Sequence, residues 1–390
     1  MILVIAEKPS VAQSIAKVLG ATSRKDSYME GGNYIVSWCF GHLVELADAS
    51  SYDERYAKWR YDDLPIVPES WMFEVTKDKA QQFKVLSSLM KDKRVTELVC
   101  ATDAGREGEL IFRLVYNKAG CTKPFKRLWI SSLEDSAIRE GFNHLRDGKE
   151  YDRLYEAALS RSKADWIVGI NGTRLFTTLY HKKLVVGRVQ TPTLAMLVER
   201  DGKISTFQKE KYFNVHVGKG DLTADLEKVK TEEEAKRIAA ACEKKQAVVS
   251  SLKRETKTVN PPKLYDLTTL QREANRYYGF TAQQTLDLVQ TLYEKKLLTY
   301  PRTDSQFITD DMEDTARQVI SIVCRQLPLF SGVSITPDIA CVTDNSKVTD
   351  HHAILPTVQL EKQDVSALPQ SEQKILNLVG MRLLCATGEK

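Results

Sequence analysis

Over the first 150 residues the apolar positions fall into short continuous runs separated by stretches of helical spacing. ILVIAE (2–7), YIVSWCF (34–40), ELVCATD (97–103) and RLWI (127–130) are too short for helices and too continuous for one-faced strands. They predict strands buried on both faces. Spacings of three and four predict helices from about Ser10 to Leu19, Glu107 to Lys118 and Leu133 to Leu145. Strands alternating with helices imply an α/β layer around a mainly parallel, Rossmann-like sheet. Tyr52 to Trp71, rich in Trp, Tyr, Asp and Pro, reads as an insertion on that sheet.

From Tyr151 to about Ile204 the pattern is helical, interrupted between Leu184 and Thr193 by GRVQTP, where Gly187 and Pro192 break it. Period-two alternation then predicts strands at FNVHV (213–217) and AVVSSLKRETKTV (247–259), around a helix TEEEAKRIAAAC. Thr231 with Glu234 three residues later is a helix-capping signature. Beyond Pro261-Pro262 the spacing predicts helices over about Leu267 to Tyr278, Ala282 to Glu294, Met312 to Gln326 and Ser371 to Cys385. The chain thus divides into an α/β region (1–150), a helical region (151–205), a small β-rich region (206–259) and a second helical region (260–390).

Composition narrows the class. With 390 residues, 42% hydrophobic and 28% charged, the chain can build about two to four domains. No apolar run approaches the roughly 18 residues of a membrane span. The start, Met-Ile-Leu-Val-Ile-Ala-Glu, enters a strand pattern rather than a signal peptide, so a cytoplasmic location with no membrane partner is expected. Seven cysteines without a C-x-x-C pair signal neither a zinc ribbon nor a disulfide framework. A net charge of +4 is too mild to name a partner, but residues 160–190 hold six basic side chains (Arg161, Lys163, Arg174, Lys182, Lys183, Arg188) against Asp165 alone. That local bias suits a phosphate backbone.

The chemistry concentrates in acidic residues and one tyrosine. Glu7 and Asp103 close two predicted strands at their carboxyl ends, the edge where parallel α/β sheets bind ligands, and Glu107 opens the following helix. Three such oxygen donors suit Mg²⁺, although Asp103 and Glu107 equally suit a helix N-terminus. Lys8 adds a cation at the same edge, as a phosphate contact or a plain surface lysine. Tyr300-Pro301-Arg302 fits either a surface turn or a phenol attacking a phosphodiester beside a guanidinium.

Six segments in order, AEKPS (6–10), GHLVEL (41–46), ATDAGREGE (101–109), GRVQTPTL (187–194), LLTYPRTDS (297–305) and DHHAILPT (350–357), resemble those of the type IA DNA topoisomerases, most closely the bacterial topoisomerase III branch. The resemblance covers essentially the whole chain. It implies a TOPRIM domain at 1–150, part of a helical single-stranded-DNA-binding domain at 151–205, part of a β-rich arch at 206–259, and a helical domain carrying the active-site tyrosine at 260–390. It implies a multidomain α/β plus α fold.

By the same resemblance Tyr300 is the nucleophile, forming a 5′-phosphotyrosyl bond, with Arg302 and Lys8 stabilising the phosphate, Glu7 moving a proton at the 3′-oxygen and His351 contacting the scissile phosphate. Glu7, Asp103 and Glu107 would hold Mg²⁺. Arg188 and Gln190 match single-strand contacts, with Arg174 and Arg161 further along the basic helix. Trp166 and Phe176 have the spacing of core residues, and His352 reads as structural. The implied partner is single-stranded or negatively supercoiled DNA, with a helicase as a possible protein partner and a monomeric, nucleoid-associated enzyme. No ATP is implied, and the sequence has no phosphate-binding G-x-x-x-x-G-K-[ST] loop.

Two departures bear on this. Gly105 stands where the family's acidic motif commonly has a second aspartate, putting a second metal in doubt. Family members also continue past residue 390, so the expectation is an expression fragment or a shortened natural protein, with an unfinished arch, single-strand cleavage retained and strand passage impaired. Two other readings stay open: a single-strand-binding fragment without chemistry, and another TOPRIM enzyme, a nuclease or primase.

Overall fold

The structure, a computed structural model, describes the chain except residues 132, 331, 333–335, 349–350 and 389–390. Asp350 of the DHHAILPT segment therefore lies outside the described residues. The chain forms two compact units, one made of Met1–Leu184 together with Val259–Lys390, the other of Val185–Thr258. Among the described residues no helix is long and apolar enough to cross a membrane.

The first unit contains a seven-stranded sheet in the order Ser23–Arg24, Tyr28–Gly31, Tyr34–Trp38, Ile2–Ala6, Glu97–Ala101, Phe125–Arg127, Arg146–Asp147. Its centre is parallel, as expected, but both edges are antiparallel. The centre strand Ile2–Ala6 has Leu3, Val4, Ile5 and Ala6 fully buried, which is why its sequence is continuously apolar. Helices Pro9–Leu19 and Asp135–Asn143 pack together, with the first also against Tyr34–Trp38, and Arg106–Lys118 packs against the long helix Asp152–Tyr180. The strand expected at 127–130 lies slightly upstream, at Phe125–Arg127.

The segment read as an insertion on the sheet is placed differently. It links the strands Val44–Leu46 and Phe73–Val75, which pair with each other in a separate two-stranded sheet, and its Tyr56 and Ile66 pack with Trp166 and Ile170 of the long helix. Its aromatic content thus serves a helix face.

The remaining half of the first unit is helical. Helix Leu267–Tyr278 starts where the Asp266 carboxylate accepts from the Thr269 N–H and stops at Gly279, whose left-handed backbone (φ 70°) suits glycine. Helix Ala282–Glu294 starts at a reciprocal Thr281/Gln284 capping box. Helices Glu313–Gln326 and Gln370–Ala386 complete a core containing Leu270, Val289, Leu292, Val319, Val323, Ile375 and Val379.

The second unit holds helix Gln190–Ser205, an antiparallel hairpin Phe213–Lys219 with Leu222–Val229, and helix Glu232–Cys242 capped by Thr231 as anticipated. The hairpin's second strand replaces the one expected at 247–259, where the described backbone forms no strand. Alternation there met no neighbouring strand, and Leu252 is 91% exposed.

Candidate active site

Two of the sequence segments are brought together by main-chain bonds. Residues 297–305 leave helix Ala282–Glu294 as extended chain and run beside 351–357: the Thr299 N–H donates to the Leu355 carbonyl (2.9 Å), the Thr357 N–H to Leu297 (3.0 Å), and the Thr303 hydroxyl to the His351 carbonyl (2.9 Å). The Tyr300 N–H donates to the Ser131 carbonyl (3.2 Å), which ties the helical half to the sheet half. Tyr300 therefore faces the carboxyl edge of the central strands, where the register sets Ala6 opposite Ala101, so that Glu7 and Asp103 emerge together.

The centre of the site is a chain of three polar groups. The Tyr300 hydroxyl donates to Asp103 Oδ2 at 3.1 Å, and the Asp103 N–H donates to Glu7 Oε2 at 3.3 Å. Tyr300 is only 8% exposed. Burial, and then the negative charge of Asp103, push the Glu7 carboxyl up to about 7. Burial likewise raises Asp103, opposed by the charge of Lys8 and the Tyr300 hydrogen bond. The Tyr300 phenol is held well above its ordinary range by burial and by both carboxylates. Burial thus favours the protonated phenol, and the charge of Asp103 opposes ionisation of the neighbouring Glu7.

Cations and His351 frame this centre. Lys8 and Arg302 act electrostatically on both carboxylates, and Arg302 is exposed while Lys8 is half-buried, 3.9 Å from Glu294. The His351 ring lies 4.3 Å from that of Tyr300. Its Nε2 pairs with the Ala104 carbonyl, which can only accept, so Nε2 carries the proton and Nδ1 accepts from the Ser131 hydroxyl at 2.9 Å. Burial lowers its pKa to about 4, making it a neutral side chain with both nitrogens engaged by protein. His352 is buried on the Ala353 carbonyl (2.7 Å).

Other supporting residues gave almost no signal in the sequence. Arg127 is fully buried, ion-paired with the equally buried Glu109 (3.2 Å), and its guanidinium donates to the carbonyls of Cys100 (3.0 Å), Thr102 (2.7 Å), Leu128 (3.1 Å) and Asp103 (2.6 Å). This fixes the backbone that carries Asp103. Arg113 also holds Glu109, at 2.8 Å, and that i,i+4 pairing within GREGELIFR was the one visible hint. Gly108 permits a close approach: a Cβ there would sit 2.0 Å from the Asp103 carbonyl oxygen.

The expected metal ligands are only partly gathered. The Glu7 carboxylate is held on the Asp103 N–H, and two neighbouring carboxyls with raised pKa fit a hard cation by donor chemistry. Glu107 instead turns to His42 Nε2 (3.6 Å), and His42, with the charges of Arg161 and Arg106, lowers its pKa. Among the described residues no three His, Cys, Asp or Glu side chains group closely enough to hold a metal. No added Cβ at Gly105 meets an atom within 4 Å, so space is not what excludes a second aspartate.

The basic residues separate. Arg188 is exposed, and Gln190 opens the exposed helix Gln190–Ser205 of the second unit. Arg161 is half-buried near Glu107. Arg174, expected at a DNA-facing surface, is 4% exposed: it donates to the Tyr56 carbonyl (2.8 Å) and lies over the Trp59 ring, bracing the segment between the two small strands. Trp166 is partly buried and donates to Ala47 (2.9 Å), whereas Phe176, read as core, is exposed and stacks on Tyr180.

Comparison with known proteins agrees with this arrangement. Residues 149–390 match the family model for DNA topoisomerase, and residues 2–133 that for the Toprim domain. DNA topoisomerase 3 of Staphylococcus haemolyticus is 43% identical over 391 residues, covering 98% of this chain and 55% of that protein. DNA topoisomerase 3 of Bacillus subtilis is 42% identical over 403 residues, covering 98% and 54%. The structure of full-length topoisomerase I from Thermotoga maritima superposes with a TM-score of 0.71 at 25% identity, covering 99% of this chain and 60% of that one. The chain spans about half the length of the curated relatives it matches. With both family models in chain order, and the tyrosine of one seated on the carboxylates of the other, the chain belongs to the type IA DNA topoisomerase family.

Proposed function

We propose that this chain cleaves and reseals one DNA strand through Tyr300, without ATP, and so relaxes negative supercoils or decatenates. The observation that carries the reading is the Tyr300 hydroxyl donating to Asp103 at 3.1 Å beside Glu7. A binding-only fragment, a nuclease or a primase has no use for that contact.

In the forward step the Tyr300 oxygen bonds to phosphorus as the bond from phosphorus to the 3′-oxygen breaks. The phenolic proton passes to the Asp103 carboxylate, already its acceptor. Because the phenol is held protonated in the resting site, this transfer accompanies attack. Glu7, with its pKa near 7, is protonated in much of the population at neutral pH and delivers its proton to the leaving 3′-oxygen. Arg302 and Lys8 offset the charge on the non-bridging oxygens. Resealing reverses each transfer, since the phosphotyrosyl bond retains the phosphodiester's energy.

Mg²⁺ would be held by Glu7 and Asp103, with Glu107 the third donor named by the resemblance, and when bound it supplies positive charge toward the phosphate oxygens. Arg161, Arg188 and Gln190 are the proposed contacts to single-stranded DNA, by charge and hydrogen bonding rather than base sequence. Arg174 is better assigned to bracing.

The test is a denaturing gel of protein with oligonucleotide labelled at either end. A 3′-label should travel with the protein and a 5′-label should appear as a shorter free strand. Tyr300→Phe should abolish both signals, and EDTA should suppress them. Cleavage by Tyr300→Phe would favour a nuclease, and an adduct undiminished in EDTA would remove the metal.

A further inference from the structure

Tyr300 lies on extended chain, outside any helix. Its N–H is fixed on Ser131 and its hydroxyl on Asp103, but the ring between them needs walls. One wall is His351, tilted by 37° at a centroid distance of 4.3 Å. The other is Tyr293, edge to face at 5.5 Å and 78°. Tyr293 is 4% exposed in the last turn of helix Ala282–Glu294, and its carbonyl accepts from the Lys296 N–H (2.8 Å), the bond that begins the turn toward Tyr300. Both tyrosines belong to the cluster that includes Val4, Ala101 and Leu128, so Tyr293 is anchored on the sheet as well as on its helix.

Edge-to-face pairing is orientation-dependent, because the positive rim of one ring meets the negative face of the other. An aliphatic side chain of similar size fills the space without that preference. We infer that Tyr293 is a positioning residue for the nucleophile, its ring confining the Tyr300 ring so that the hydroxyl stays on Asp103. The ring rather than the hydroxyl does this. The inference rests on Tyr300 being the nucleophile.

The experiment compares Tyr293→Phe, Tyr293→Met and Tyr293→Leu with the unaltered chain in single-turnover cleavage of an end-labelled oligonucleotide. In parallel, the ¹⁹F spectrum of fluorotyrosine-labelled protein is recorded, the Tyr300 line being assigned with Tyr300→Phe. Tyr293→Phe should retain at least about half the cleavage rate. Tyr293→Met and Tyr293→Leu should lose roughly 10- to 100-fold, the scale of a nucleophile displaced by about an ångström, with oligonucleotide Kd within about twofold. The Tyr300 line should be single in the unaltered chain and in Tyr293→Phe, and broadened or shifted in Tyr293→Met. Full-rate cleavage by Tyr293→Met, an unchanged line, or a Tyr293→Phe as slow as Tyr293→Leu would overturn the inference. Absence of any adduct from the unaltered chain would defeat the functional reading instead, and the ¹⁹F comparison would still decide the positioning.

Discussion

The pocket around Tyr300 and the hairpin unit Val185–Thr258 are built on opposite principles. In the pocket the central polar groups are held at several atoms each: Asp103 through its carbonyl, its N–H and its carboxylate, and the arginine beneath it at four carbonyls. The hairpin unit rests on Val215, Val229 and Ala235, with Phe213 and Ile238 packed alongside. Dense buried polarity imposes one geometry at the expense of tolerance, whereas a thin apolar core tolerates change and imposes little. A reacting centre needs the first.

The contrast breaks most severely at Arg127. Arg127→Met leaves the buried Glu109 with Arg113 as its remaining ion-pair partner and strips four carbonyls of their donor, and urea unfolding of the first unit should show a loss of about 3–5 kcal/mol. A loss below about 1 kcal/mol would mean the polar network is not what distinguishes the pocket.

A smaller effect of opposite sign is expected at Glu7. Its folded pKa, about 7, lies above the ordinary 4.5, so the folded state binds the proton more tightly than the unfolded chain does. That contribution is complete below about pH 4.5 and is lost as pH rises through 7. Glu7→Gln should therefore be more stable than the unaltered chain by about 1–3 kcal/mol at pH 8, and no different at pH 4, in paired denaturation curves. Cleavage should be lost. Equal stability at pH 8 would show that the carboxyl is not strained by its surroundings.

The smallest effects belong to the hairpin unit. Val215→Ala should destabilise it by about 1–2 kcal/mol, and Leu252→Ser should change its stability by less than about 0.5 kcal/mol, measured by proteolysis within Val185–Thr258. A large effect at Leu252 would mean the exposed segment is packed in solution.

What was legible in the sequence follows the same division. Helices Leu267–Tyr278 and Ala282–Glu294 were readable to their ends because Asp266, Thr281 and Gln284 write the caps locally. Glu7 and Asp103 were readable because a buried parallel strand has a continuous apolar signature and an end. Alternation at 247–259 states only half of what a strand requires, the other half being a partner. A count of basic residues did not separate Arg174, turned into the protein, from Arg188, turned out, since that depends on which helix face the segment around Tyr56 covers. Glu109 and Arg127 were hidden because charged residues are ordinarily solvated, and only the packed structure shows a pair that is not. Glu107 was assigned to the carboxylate cluster from its spacing, but His42, Arg161 and Arg106 compete for it.

The hydroxyl of Tyr300 and the carboxylate it meets are separated by 197 residues, and the two halves of their compact unit are continuous only through residues 185–258. On a ribosome adding about 5–20 residues per second, roughly 15–60 s pass before the tyrosine is even made. The contact between Tyr300 and Asp103 therefore cannot form until the chain has been made past residue 300, whatever the earlier residues have done by then. Position along the message thus fixes the order in which the two halves of the site become available.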